Sequence, residues 1–216
     1  MLGYFRRNIA EYLRQNVVAY FFITLILVIG VVIGAFAVKI LPEDQKAELI
    51  NYLSVLFQRL NSPNMLLGSE GYTIFISQIV SNCKIIILMW LLGFTIVGIP
   101  FVLFIIFTRG FVIGFTVGFL VDEYVARGLG FALATVLPHN FFSVPAILVT
   151  GVSATSFSLM LLRRRHQGKS HLLYESIAYT VICLIMLGAM FVSAGVEAYI
   201  SPVFMKFFAG LLITAP

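Results

Sequence analysis

The sequence predicts an all-α polytopic membrane bundle: about five crossings, with broken or re-entrant helices and an extracytoplasmic amphipathic helix. Three observations carry that expectation. Hydrophobic residues make up 61% of the chain and charged residues only 11%, with a mean hydropathy of +1.04. A water-soluble domain carries roughly 25% charged residues, so this chain has too little polar surface to cover itself in water. Several uncharged runs are long enough to span a hydrocarbon core about 30 Å thick. The basic residues cluster at the ends of those runs, as topology determinants do, so the net charge of +5 is not a nucleic-acid signal.

Residues 1–16 form a short arm with Arg6, Arg7 and Arg14, followed by Val17–Val38, 22 residues without a charge and the first crossing. The run extends beyond a signal-peptide core and lacks a small-residue cleavage site, so it is expected to remain as an anchor. After Leu41-Pro42, residues 43–60 change character. Leu49, Leu53, Leu56, Phe57 and Leu60 recur at helical spacing among Glu43, Lys46, Gln58 and Arg59. That pattern predicts an amphipathic helix lying in the membrane interface. Asn61-Ser62-Pro63-Asn64 ends it.

A mildly polar helix with Ser77, Ser81 and Lys84 leads into a second crossing at 85–107, bent or broken at Gly98-Ile99-Pro100. Thr108-Arg109-Gly110 reads as a turn, and 110–121 as a short third crossing or half-helix. Leu129–Leu162 is too long for one crossing: 34 residues would span about 50 Å. Pro138 and Pro145 divide it into a re-entrant or interfacial piece at 129–137 and a crossing at 141–162. A basic loop, Arg163 to Lys169, precedes the last crossing at 174–195, and 203–213 is an outer interfacial tail. The whole chain is one membrane domain. An odd number of crossings separates the termini, and eight cations against six favour a cytoplasmic N-terminus and an extracytoplasmic C-terminus.

Gly110, Gly114 and Gly118 recur every four residues, and Gly30 and Gly34 repeat the spacing. Such glycines line one helix face and allow close backbone approach, either within the chain or at a homodimer seam. Pro138-His139-Asn140 is a helix-break motif: proline frees backbone groups that a His-Asn pair is suited to satisfy, and a polar site at depth is the functional alternative. Glu197, beyond the last crossing, and Glu43, Lys46 and Arg59 are the candidates to face an extracytoplasmic partner; the alternatives are a solvated helix-end acid and a helix that floats on the lipid surface. Gly151-Val152-Ser153 with His139 is a weak reminder of an intramembrane serine protease, with nothing to hold the pair together. Cys83 and Cys183 have no metal or redox spacing. No metal, nucleotide or hydrolase motif is present, so neither a cofactor nor a catalytic residue is assigned.

In order along the chain, Met89-Trp90-Leu91-Leu92-Gly93, Gly98-Ile99-Pro100, the run from Phe111 to Val121, Val136-Leu137-Pro138-His139-Asn140, Val144-Pro145-Ala146 and Glu197-Ala198-Tyr199-Ile200-Ser201-Pro202 are set out as in one known family. They resemble stage II sporulation protein M of endospore-forming bacteria, over nearly the whole chain. The resemblance implies a non-enzymatic membrane scaffold of engulfment. It implies as partners two peptidoglycan hydrolases, stage II sporulation proteins D and P, held at the mother-cell septal or engulfing membrane. The runner-up function, from the residues alone, is a transporter or channel component built on the breaks around Pro100 and Pro138.

Overall fold

A computed structural model of the protein describes residues 16–60, 69–163 and 169–204. The arm to residue 15, the break at 61–64 and the tail from residue 205 lie outside the described residues, as does the Arg59 side chain. Every described element is helical, as lipid demands: only internal hydrogen bonding satisfies a backbone that crosses hydrocarbon. The helices are α1 (Val17–Ala37, extended by a 3₁₀ turn, Val38–Ile40), α2 (Glu43–Leu60), α3 (Ser69–Gly93), α4 (Gly98–Arg163) and α5 (Lys169–Gly195, continued by a π-turn, Val196–Ile200).

Five stretches among the described residues are long and apolar enough to cross a membrane: Val17–Ile40, Tyr72–Gly93, Gly98–Glu123, Thr135–Leu162 and Leu172–Phe204. Two of them belong to α4. A straight helix of its 66 residues would be about 99 Å long. Instead Ile106 packs against Gly151 and the Ser158 hydroxyl donates to the Thr95 carbonyl at 2.8 Å. The chain therefore reverses between Glu123 and Thr135, and the two limbs of α4 run antiparallel.

This places the second and third crossings differently from the sequence expectation. The turn is Phe94–Val97, not Thr108–Gly110. There the Thr95 hydroxyl donates to the Leu92 carbonyl and the Gly98 amide to the Thr95 carbonyl. Pro100 lies in the first turn of α4, where its missing N–H costs no hydrogen bond. It starts a helix where a bend was expected. Arg109 and Gly110 accordingly sit in mid-helix. Residues 129–137 are likewise helical and continuous with the second limb of α4; neither Pro138 nor Pro145 interrupts the helix. Side chains bond the backbone close by, the Asn140 amide donating to the Val136 carbonyl at 2.8 Å and the Ser193 hydroxyl to the His139 carbonyl at 2.8 Å.

The five patterned glycines form one seam inside the chain. A Cβ at Gly30 or Gly34 would run into the backbone of Phe107, Phe111 and Phe115. One at Gly110, Gly114 or Gly118 would run into Leu27, Val31 or Ala35. Partner numbers rise together along both helices, so α1 and the first limb of α4 pack in parallel, backbone on backbone. On the other flank Tyr179 of α5 reaches under the C-terminus of α3. Its hydroxyl lies 3.1 Å from the carbonyls of both Met89 and Trp90, and its ring stacks on Phe157. Phe94 adds edge contacts to both rings. Above this aromatic layer Ile86, Met89, Ile106, Ile147 and Met190 are fully buried, making a dry apolar core.

α2 stands apart. Among the described residues it packs against no other helix, and Tyr52 and Val55 are exposed. Its described tie to the bundle is an ion pair from Lys46 to Asp122, at the end of the first limb of α4, 3.0 Å long.

Candidate functional site

One turn beyond the dry core the interior becomes polar. Gln78 and Asn82 are four residues apart on α3 and therefore share a helix face, which turns inward. Asn82 is 4% exposed. Arg109 projects from the middle of the Gly98–Glu123 span, and its guanidinium donates to the Asn82 side-chain oxygen at 3.3 Å. Glu197 approaches from α5 and accepts from the Gln78 amide at 2.7 Å. Arg109 and Glu197 are near enough to act on each other electrostatically, and Arg109 acts on His139 as well. Ser193, wholly buried, ties this group to the second limb of α4 through the His139 carbonyl. Three helices thus converge on one charged, hydrogen-bonded cluster in the membrane-spanning region.

Local structure aims the glutamate. Val196–Ile200 is a π-turn, in which the Ser201 amide bonds back to the Val196 carbonyl. Single π-turns inside α-helices swing one side chain off its regular face and recur at functional sites. Pro202, with no N–H and a ring that crowds the carbonyl four residues back, disfavours a regular helix at this place.

The cluster is not fully satisfied. Among the described residues, His139 Nδ1 and Ser201 Oγ are sealed from solvent without a hydrogen-bond partner. Arg109 has five N–H donors, and its described bond uses one of them. None of its remaining donors is among the sealed, unpartnered atoms. Arg109 and Glu197 are the chemically potent pair here: a rigid donor fork and a carboxylate whose hydrogen bond among the described residues engages one oxygen.

Several expected roles change with these positions. Glu197 faces the bundle interior and not an outer partner. Arg109 is an intramembrane charge, where the sequence suggested a turn cation. His139 and Ser153 lie fourteen positions apart in one continuous helix, about 21 Å along its axis, so they form no catalytic dyad. Glu43 is exposed, as expected of an outer helix, and Lys46 is engaged by Asp122. Cys83 and Cys183 are both free thiols. Gln78 and Asn82 were missed in the sequence. Their signal is two amides at helical spacing in an otherwise apolar span, and it emerges only once the second crossing is placed at Tyr72–Gly93.

A family model described as stage II sporulation protein M matches residues 23–202, most of the chain and the whole of the polar cluster. No curated protein and no solved structure matches it.

Proposed function

The chain belongs to the stage II sporulation protein M family, and from that membership we propose that it is a non-enzymatic membrane scaffold of engulfment. In this reading it recruits the peptidoglycan hydrolases, stage II sporulation proteins D and P, and localises them at the septal or engulfing membrane. The supporting observation is α2: an amphipathic helix with mixed charge that packs against no other helix among the described residues and is tied through Lys46 to Asp122. A helix held close to the membrane yet unpacked has surface available for a second protein.

The orientation belongs to the same proposal. Arg109 and Lys84 fall inside spans and drop out of the charge comparison. Lys39, at the end of the Val17–Ile40 span, drops out with them, and seven cations then flank the N-terminal end of the bundle, most of them in dense clusters, against four at the other. The cytoplasmic N-terminus is therefore retained, and α2, Asp122 and the C-terminus face the wall. The test is a mild-detergent pull-down of the tagged protein from sporulating cells. The two hydrolases should be recovered with it and lost on combined reversal of Glu43, Lys46 and Arg59. Recovery that survives those reversals, and reversals at the other outer elements, defeats the scaffold.

A second reading, a transporter or channel component, is favoured by one observation: Arg109 in mid-span, held by the Asn82 side chain. Intramembrane ionisable residues mark functional pathways by default. Proteoliposomes whose solute and proton flux does not exceed that of empty vesicles dispose of it.

A further inference from the structure

The inward face of α3 is explained by the polar cluster; its outward face is not. Ser77, Ser81 and Lys84 succeed one another at four and three positions, the spacing of a single helical stripe. All three are exposed, and they are flanked on the same side of the helix by the exposed apolar residues Ile76, Val80, Leu88 and Leu91. Among the described residues neither serine nor the lysine makes a hydrogen bond or an ion pair. Other hydroxyls in this bundle do: Thr108, Thr116, Thr150, Ser176 and Thr180 each donate to the carbonyl four residues back.

The depth of Lys84 makes this stripe informative. It lies twelve positions from Tyr72 and nine from Gly93, the limits of the span, or about 18 Å and 13 Å along the axis. A lysine stem near a helix end carries its ammonium to the interface; from the middle of a span neither interface is within that reach. A cation here faces hydrocarbon unless something polar covers it, and intramembrane charges are normally turned inward or paired.

We propose that this face of α3 is a docking stripe for a membrane-spanning helix of another protein that carries an aspartate or glutamate near its middle. The carboxylate accepts from the Lys84 ammonium, a charge-assisted bond strengthened by the low dielectric of the surroundings. Ser77 and Ser81 are small, so the partner helix approaches closely, and their hydroxyls hydrogen-bond across the contact. A second copy of this chain is a poor occupant: a two-fold contact centred on the stripe sets Lys84 against Lys84. The inference deepens the scaffold reading, on which it rests for the existence of a partner, by moving part of the grip into the membrane.

The test is photo-cross-linking in native membranes with Ser81→p-benzoylphenylalanine, using the same substitution at the exposed Val181 of α5 as reference. The expected product joins α3 to a spanning segment of another protein within a turn of an acidic residue. Lys84→Glu should lower its yield about tenfold, the scale of an interhelical polar contact of 1–2 kcal/mol, and reversing the partner's acid to lysine should restore it. Lys84 points outward, so Lys84→Glu should unfold at the parent temperature, which separates lost docking from lost fold. Adducts to lipid alone, to a second copy of this chain, or at a yield indifferent to Lys84→Glu overturn the proposal. Hydrolases that still co-purify in those cases leave the scaffold standing; their absence from the parent pull-down removes both.

Discussion

The bundle holds its helices together by opposite means on its two flanks. Between α1 and the first limb of α4, glycine removes every obstacle and backbone meets backbone without a described polar side-chain bond across the seam. Among α3, α4 and α5, side chains bridge the gaps through amides, a guanidinium and a carboxylate. Lipid explains why both devices are needed. Apolar side chains gain nothing by leaving acyl chains for one another, so association rests on close packing and on interhelical hydrogen bonds. The first device is insensitive to charge and intolerant of volume. The second tolerates volume better and depends on every partner being present.

Volume gives the largest separation. Gly114→Val places a branched side chain where a Cβ alone would meet the Val31 carbonyl, and α1 has to withdraw. A loss of about 3 kcal/mol is expected, at the upper end for overpacked cores, read as detergent-resistant unfolding temperature. Gly188, which has nothing within 4 Å of its would-be Cβ, is the internal control. Gly188→Ala should be neutral or stabilise by about 0.5–1 kcal/mol through helix propensity. Equal effects at the two sites would mean that the seam is not tight.

Removing a charge tests the other flank. Arg109→Leu leaves Glu197 and Asn82 short of a partner in low dielectric, and a loss of about 2–3 kcal/mol is expected. Glu197→Gln keeps the shape and removes the opposing charge. Because the two residues interact, the double variant should fall short of the sum of the singles by about 1 kcal/mol. Strict additivity would show that Arg109 and Glu197 act separately. A smaller effect belongs to the dry end: Tyr179→Phe removes a hydroxyl that faces two carbonyls and keeps the stacked ring. It should cost about 1 kcal/mol, the net worth of an ordinary hydrogen bond.

The seam was far more legible in the sequence than the polar flank. Val17–Val38 is an unbroken apolar run, and Gly30, Gly34, Gly110, Gly114 and Gly118 announce a contact surface by spacing alone. So too α2, whose leucines and charges alternate at helical period over Glu43–Leu60, the bounds it has in the structure. The second and third crossings were misplaced because turn signals are weak where everything is apolar. Residues 85–107 contain no charge, and Phe94–Val97 turns on Thr95 and two glycines, while Thr108-Arg109-Gly110 has the composition of a turn and is helix. One misplaced turn moved Arg109 out of the membrane, and ending the last crossing at residue 195 rather than Phe204 put Glu197 into solvent; together they dissolved the cluster. Long-range pairing across 27 and 119 positions leaves no local mark for spacing arguments to find.

The smallest expected effect concerns the tether of α2, where the bundle meets whatever lies outside it. The hydrogen bond to Asp122 raises the Lys46 ammonium above the ordinary lysine range; desolvation opposes it, and the charges of Asp122, Glu43 and Glu123 add to it. A folded-state value above the unfolded one means that the bond favours docking at every pH below the ordinary lysine value. That contribution is lost as pH rises through the raised value. Spin labels on Tyr52→Cys in α2 and Leu137→Cys in α4, with Cys83 and Cys183 replaced by alanine, report the separation. The distance distribution should hold from neutral to mildly alkaline pH and broaden only in strong alkali. High salt should broaden it at neutral pH, because the pair is exposed and screened. Lys46→Gln should broaden it at any pH, and Lys46→Arg should keep it narrow to higher pH than the parent. A distribution indifferent to salt and to Lys46→Gln would assign the position of α2 to the lipid interface. The helix would then be an interfacial float, free to turn either face to a partner, with no fixed pose relative to the bundle.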